Sequence, residues 1–261
     1  MTGEMNVYLS ISGFTIVLQF DPPERIEKRN SMLSFIHKYY SGFMLPKKTT
    51  FDLKLRIAEI KGIPYVQQRN NAYAKYFRKI SANEYETYYH VGPYEFSQLL
   101  QIMIMRSLQS DGLVLHASAL QTKKGAYIFP GPSGTGKSTI LRALAPFGKI
   151  LADDNIIIKA TKKGVMCFQS AYIERETVPI QKNSTPCTVV GIYAIKKNGR
   201  FFTQKLSTDE TIKLLLTSIW SDAVVTTHDL SSINRLVKMK TRFAVVSWDI
   251  KDPKKVVSLL D

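Results

Sequence analysis

The sequence predicts an α/β protein on three observations. Residues Gly131-Pro132-Ser133-Gly134-Thr135-Gly136-Lys137-Ser138-Thr139 fit the phosphate-loop pattern G-x-x-x-x-G-K-[ST] in full. A short apolar strand, Gly125-Ala126-Tyr127-Ile128-Phe129, precedes this loop, and a helical stretch from Ile140 to Ala145 follows it. Two more apolar strands flank the unit: Leu113 to Ala119, which carries His116, and Lys149 to Ala152, which runs into Asp153-Asp154.

Each part has a chemical reason. Glycines let the main chain curl closely round an anion. The strand–loop–helix order aims backbone N–H groups and a helix N-terminus at one phosphate cluster. On this pattern every residue from Gly131 to Thr139 is a candidate nucleotide-binding residue. Lys137 would be the cation for the β- and γ-phosphates, and the Ser138 hydroxyl a ligand for Mg²⁺. Asp153 and Asp154 follow Lys137 by 16 and 17 residues, about one helix plus one strand. Groups just past the carboxyl ends of neighbouring parallel strands meet in one crevice, which puts both acids within reach of the metal and the terminal phosphate. Adjacent residues on a strand point to opposite faces, so one acid can join the metal while its neighbour faces the acceptor. The competing readings are an ordinary glycine turn and a solvated Asp-Asp turn before Asn155.

The order His116, then Gly131 to Ser138, then Leu151-Ala152-Asp153-Asp154 resembles the catalytic domain of HPr kinase/phosphorylase, whose superfamily also takes in ATP-dependent phosphoenolpyruvate carboxykinase. The strings LHASA (Leu115 to Ala119), GPSGTGKST (Gly131 to Thr139) and ADD (Ala152 to Asp154) stand in this order in HPr-kinase-like proteins. The resemblance runs from about Gly112 to Ile158 and more weakly to the end of the chain. It implies a P-loop kinase domain of the HPr kinase type, a mixed sheet with flanking helices, over residues 93–261, behind the smaller β-rich region of residues 1–92. The implied reaction moves the γ-phosphate of ATP, with Mg²⁺, to a hydroxyl on a protein, a peptide or a small metabolite. Lys137 would bind phosphate, Ser138 the metal, Asp154 the proton of the attacking hydroxyl, and His116 would tune the charge beside it. Asp153 then falls to the metal shell. HPr kinases place a metal-ligating glutamate beside an arginine further on, which makes Glu174 and Arg175 candidates against a solvated charge cluster. Thr139 departs from the pattern, since HPr kinases usually carry glutamate there. This weighs against HPr itself as acceptor and against a reverse phosphorylase activity.

Composition bounds the remaining classes. A chain of 261 residues, 44% of them hydrophobic, has material for one large or two modest cores. The net charge of +15 is spread along the chain and suits ATP and acidic partners; no nucleic-acid recognition motif accompanies it. Cys167 and Cys187 show neither metal-ligand spacing nor a disulfide framework, which fits a reducing cytoplasm. Met1-Thr2-Gly3-Glu4 lacks a basic n-region, and no stretch approaches the roughly 18 apolar residues of a spanning helix. A soluble, cytoplasmic protein without a membrane partner is therefore expected. Self-association into a homo-oligomer stays open.

In chain order, Val7 to Phe20 reads as two strands joined near Gly13 and stopped by Asp21-Pro22-Pro23. Glu24 to Tyr40 reads as a mixed helix, and the strictly alternating Phe51 to Ile57 as a half-buried strand. The tyrosine-rich stretch from Tyr65 to Tyr89 fits the amphipathic face of a small sheet better than a base-stacking surface. Apolar residues at helical spacing mark Glu95 to Gln109, and the domain boundary is put at Gly92-Pro93. Beyond Asp154, the segments Asn155 to Ala160 and Gly164 to Phe168 read as a hairpin over the site. Val189 to Ile195 reads as a buried strand. Ser207 to Glu210 forms a capping box that opens a helix to about Trp220. Leu230 to Met239 reads as a second helix that Asp229 can cap, and Arg242 to Trp248 as the strand closing the sheet.

Two other classes compete with a kinase. ABC-transporter ATPases share the loop, but their L-S-G-G-Q signature and later acidic strand are missing. A nucleotide-gated binding module, in which ATP orders a partner surface without transfer, needs no base; Asp154 is the residue that discriminates.

Overall fold

The computed structural model describes residues 5–48, 50–59, 77–173, 180, 182–196, 200–221, 225–247 and 253–260. Contacts divide the chain into two compact units, one of residues 1–107 with 171–173 and 182–184, the other of residues 108–170, 174–181 and 185–261. The Gly92-Pro93 boundary expected from sequence opens a helix that belongs to the first unit, so the division falls one helix later. Tyr65, Tyr73, Tyr76, Glu174, Arg175 and Trp248 lie outside the described residues.

In the first unit, β1 (Met5–Ile11) and β2 (Phe14–Phe20) make an antiparallel hairpin. Ser12 and Gly13 both have positive φ, 57° and 82°, the type I′ geometry that matches the twist of paired strands. Helix α1 (Ile26–Tyr40) then leads to β3 (Met44–Leu45) and to β4 (Leu53–Ala58), which runs parallel to β2. With β5 (Arg78–Lys79) and β6 (Glu84–Tyr88) the sheet order is β3-β1-β2-β4-β6-β5. Strand β4 keeps its alternation, burying Leu53, Leu55 and Ile57 while Arg56 is exposed. Helix α2 (Pro93–Ser107) sets Phe96 edge-on to Phe35 of α1, ring centroids 5.5 Å apart. All six strands and α1 lie within residues 1–92, and α2 joins them in this unit from beyond that region.

The second unit opens with β7 (Gly112–Thr122), β8 (Gly125–Pro130) and α3 (Lys137–Leu144). It continues through β9 (Lys149–Ala152), β10 (Asn155–Thr161), β11 (Gly164–Gln169), β12 (Cys187–Lys196) and β13 (Phe202–Lys205). Helices α4 (Thr208–Leu216) and α5 (Thr227–Val237), strand β14 (Arg242–Ser247) and helix α6 (Pro253–Leu260) complete it. The sheet order is β11-β10-β7-β8-β12-β14-β13, with β9 also on β7 and β11 also meeting β12. Only β8–β12 and β12–β14 pair in parallel, so the sheet is mixed. Strand β8 is buried on both faces, which is why it reads as an unbroken apolar run. Ala126 and Ile128 join a core with Leu215 of α4 and Ile233 and Leu236 of α5. Tyr127 and Phe129 join the opposite core with Ile140, Leu141 and Leu144 of α3 and Val256 and Leu260 of α6.

Four expectations are corrected here. The β10–β11 hairpin does not lie over the site; β10 pairs with β7 inside the sheet, because Ile156, Ile157 and Ile158 are all fully buried. Helix α4 ends at Leu216, short of Trp220, and the residues after it bond β7 instead: the His116 N–H donates to Ser218 and the Trp220 N–H to Val114. Helix α5 starts at Thr227, so His228 and Asp229 lie in its first turn, and Thr226 is the cap in a reciprocal box with Asp229. Strand β14 does not close the sheet, since β13 pairs along its outer edge.

Candidate functional site

The site is organised by the middle of β7, where His116-Ala117-Ser118 meets a different partner on each edge. On one edge Ala117 and Ser118 pair with Pro130 and Phe129 of β8. The next residue of that chain extends the ladder, as the Gly131 N–H donates to the His116 carbonyl at 3.2 Å. On the other edge Ala152 lies opposite Ala119 and Asn155 opposite His116. The register is the same on both sides of the bend at Asp153-Asp154, so that Asp153 comes beside Ser118 and Asp154 beside Ala117, whose N–H donates to the Asp154 carbonyl at 3.0 Å. One extra residue, Leu151, is absorbed just before this stretch, where its carbonyl accepts a 2.8 Å bond from the buried Gln169 side chain. Neighbouring strands lie about 4.8 Å apart, so the start of the glycine loop and the acid pair stand roughly 10 Å apart across β7. Because β8 and β9 both run antiparallel to β7, they point the same way and their carboxyl ends share one end of the sheet. The crevice expected of a parallel sheet thus forms through an intervening antiparallel strand.

Gly131, Gly134 and Gly136 have φ of 148°, 82° and 103°. At Gly136, the residue before α3, this left-handed geometry turns the chain into the helix, a conformation open to glycine at little cost. A Cβ on Gly131 would sit 3.2 Å from the Thr135 Oγ1. Pro132, Ser133 and Gly134 are exposed, and Thr135 folds back to donate its hydroxyl to the Pro132 carbonyl at 2.9 Å. Lys137 is buried, and its Nζ donates to the Gly131 and Pro132 carbonyls at 2.7 and 2.9 Å. Burial pushes its pKa below the ordinary lysine value, opposed first by Asp154 and then by Asp153. Both carboxylates are therefore electrostatic neighbours of this ammonium. Ser138 and Thr139 are half-buried in the first turn of α3, where the Ser138 carbonyl accepts from Arg142 Nε at 3.1 Å.

The chain bends at Asp153-Asp154, and the strict alternation expected of two adjacent strand residues gives way to two separate anchors. The fully buried Ser118 hydroxyl lies 3.0 Å from both the main-chain carbonyl and Oδ1 of Asp153. His116 Nε2 lies 2.8 Å from Asp154 Oδ1, with 32% of the His116 side chain and 42% of the Asp154 side chain exposed. The candidate residues on β7, the loop and the bend thus come together; Glu174 and Arg175 lie outside the described residues.

Two residues escape sequence reasoning. Ser118 is overlooked because LHASA draws attention to its histidine; the available signal is a hydroxyl inside an otherwise apolar strand. Asn155 is 1% exposed, and among the described residues its Oδ1 has no hydrogen-bond partner. Its signal is an amide at the head of an isoleucine run, directly after the acid pair. Among the described residues no three His, Cys, Asp or Glu side chains gather as a metal-binding set, and no helix is long and apolar enough to cross a membrane.

No family model and no curated protein matches this sequence. Among solved structures the chain is similar to the Hpr(Ser) kinase/phosphatase from Coxiella burnetii, with a TM-score of 0.33 and 14% identity over 56% of this chain and 93% of that one.

Proposed function

We propose that the chain is an ATP- and Mg²⁺-dependent kinase that transfers the γ-phosphate to a hydroxyl of a protein, a peptide or a small metabolite. The observation carrying this reading is the left-handed glycine loop that opens a helix and wraps its own buried Lys137 ammonium, with the Asp154 and Asp153 carboxylates acting on that charge from across β7. The residues fit the groups they would hold. The first-turn N–H groups of α3 have no partners within the helix and suit phosphate oxygens. Lys137 would exchange neutral loop carbonyls for phosphate oxygens, a charge-assisted and therefore stronger bond. Ser138, Asp153 and the orphaned Asn155 amide are oxygen donors, the type that Mg²⁺ prefers. When bound, that ion would neutralise charge on the phosphate oxygens.

Asp154 is the base in this reading. It takes the hydroxyl proton while the acceptor oxygen bonds to the γ-phosphorus and the bond to the ADP oxygen breaks. His116 fixes the carboxylate's orientation through Oδ1. A positioned base contributes about 10²–10⁴-fold. Asp154→Asn should therefore leave Mg·ATP affinity within a few-fold and cut transfer by at least about a hundredfold. The assay is labelled γ-phosphate transfer into serine-containing peptides and small alcohols, with both proteins in parallel. Tight ATP binding by both, with no acceptor labelled by either, would overturn the kinase in favour of the nucleotide-gated module.

A further inference from the structure

Two clefts flank the C-terminal end of α5 and share Met239 as a common wall. One, of about 520 Å³, is bordered by Lys205, Lys240 and Arg242 around the apolar side chains of Leu206 and Val237. The other, of about 540 Å³, is bordered by Lys159, Lys162, Arg235 and Lys238. Seven basic side chains line the pair, against one carboxylate, Asp111, which is itself paired with Arg235. The chain as a whole carries 36 basic and 21 acidic residues, so a patch of seven cations at that ratio would hold about four acids. Position at a helix C-terminus explains Arg235 and Lys238, which complement the helix dipole. Lys159 lies over the Phe168 ring, and Arg242 lies over the Tyr193 ring and donates to the Thr203 hydroxyl; no such role among the described residues accounts for Lys162, Lys205 and Lys240.

We infer that this face is a docking surface for an acidic polypeptide segment with apolar anchor residues. Charge complementarity supplies the sign, since a positive concave surface attracts carboxylates. The apolar walls supply the second half of the argument, because Leu206, Val237 and Met239 offer side-chain-sized pockets between the cations. Nucleic acid is the weaker fit. Phe243 is the only aromatic in the two linings and is buried, which leaves no platform for stacking single-stranded bases.

Resting on the kinase reading, the surface also specifies the acceptor. Strand β10 runs from the acid pair toward this face, with Lys159 five residues and Lys162 eight residues beyond Asp154. At about 3.3 Å per residue Lys159 and the strand's end at Thr161, next to Lys162, lie roughly 17–23 Å from the base. An extended chain covers that distance in about five to seven residues. The favoured substrate is therefore a protein whose target hydroxyl stands at least that far from an acidic-apolar segment.

The test uses a labelled twelve-residue peptide alternating glutamate and leucine, a lysine-for-glutamate control, and a single-stranded oligothymidine of similar charge. Wild type is compared with the exposed-residue variant Lys162→Glu/Lys205→Glu/Lys238→Glu/Lys240→Glu, whose fold is checked by thermal melting and Mg·ATP affinity. The expected result is salt-sensitive binding of the acidic peptide alone, weakened at least on the order of tenfold in the variant. Equal binding by variant and wild type, no peptide binding by wild type, or displacement of the peptide by the oligonucleotide would each overturn the proposal. A second arm appends a serine eight residues from the acidic segment and follows phosphate transfer. Peptide binding without any transfer would sink the kinase reading and leave the docking surface standing; transfer that is indifferent to the acidic segment would do the reverse.

Discussion

Removing one buried hydroxyl should separate the metal from the nucleotide at this site. Ser118→Ala deletes a donor that is fully buried and shared between the Asp153 carbonyl and Oδ1, both at 3.0 Å. A hydrogen bond to a charged group contributes about 1.5–3 kcal/mol and a neutral one about 0.5–1.5. One proton cannot serve both acceptors fully, and Asp153 is half-exposed, so water replaces part of what is lost. The net effect is about 1–2 kcal/mol. If it falls on the orientation of Asp153, the Mg²⁺ concentration for half-maximal transfer should rise roughly five- to thirtyfold. Nucleotide affinity in the presence of a chelator should stay unchanged, because Ser118 has no place in the glycine loop. The midpoint of thermal unfolding should fall by about 2–8 °C on the same energy. The assay is a Mg²⁺ titration of γ-phosphate transfer alongside isothermal titration with ATP in EDTA. An unmoved Mg²⁺ titration together with the expected thermal loss would refute the reasoning, since Ser118 would then only brace the strand.

Lys137→Ala should lower ATP affinity by at least about tenfold, the loss of one charge-assisted contact, as read by calorimetry; wild-type affinity in this variant would remove the glycine loop from the site. In the first unit, the Tyr89 hydroxyl donates to the Asp21 carbonyl, and its pKa is pushed up to about 12. Burial is the main cause, Arg29 opposes it, and the Asp21 and Glu59 carboxylates add to it. A raised folded-state value means that the stabilisation is complete below the unfolded tyrosine value near 10 and disappears as pH rises through about 12. Denaturant midpoints measured from pH 9 to pH 12 should therefore fall less steeply for Tyr89→Phe than for wild type; parallel slopes would contradict the assignment.

What could be read from the sequence was local. The glycine loop, Lys137 and strand β8 announce themselves because each depends on residues within a dozen positions. The capping box at Ser207 and Glu210 is equally local, and both halves form. Thr226 and Asp229 make the same device with aspartate in place of glutamate, and so the start of α5 is misread by three residues. Strand β13 is short and polar enough to pass as loop, and helix α6 spans only eight residues. The partner of β10 was beyond reach for a different reason. An apolar run such as Ile156-Ile157-Ile158 states that a strand is buried on both faces, not which strand it lies beside. The roles suggested here for Ser118 and Asn155 depend on that pairing, so they became visible only with β7 in place.

The register shared by Ala152 and β10 on either side of the bend makes the acid pair a matter of spacing as well as of identity. Changing Asp153 or Asp154 alters chemistry at one point. With the extra residue Leu151 kept where it is, deleting either would advance the whole of β10 by one position along β7 and turn each of its side chains to the other face. Lys159 would then enter the layer that Ile158 now fills with Leu113 and Leu115. The two acids behave like letters within a reading frame: each can be respelled, but an insertion or deletion between Ala152 and Asn155 would scramble everything downstream to the end of the strand.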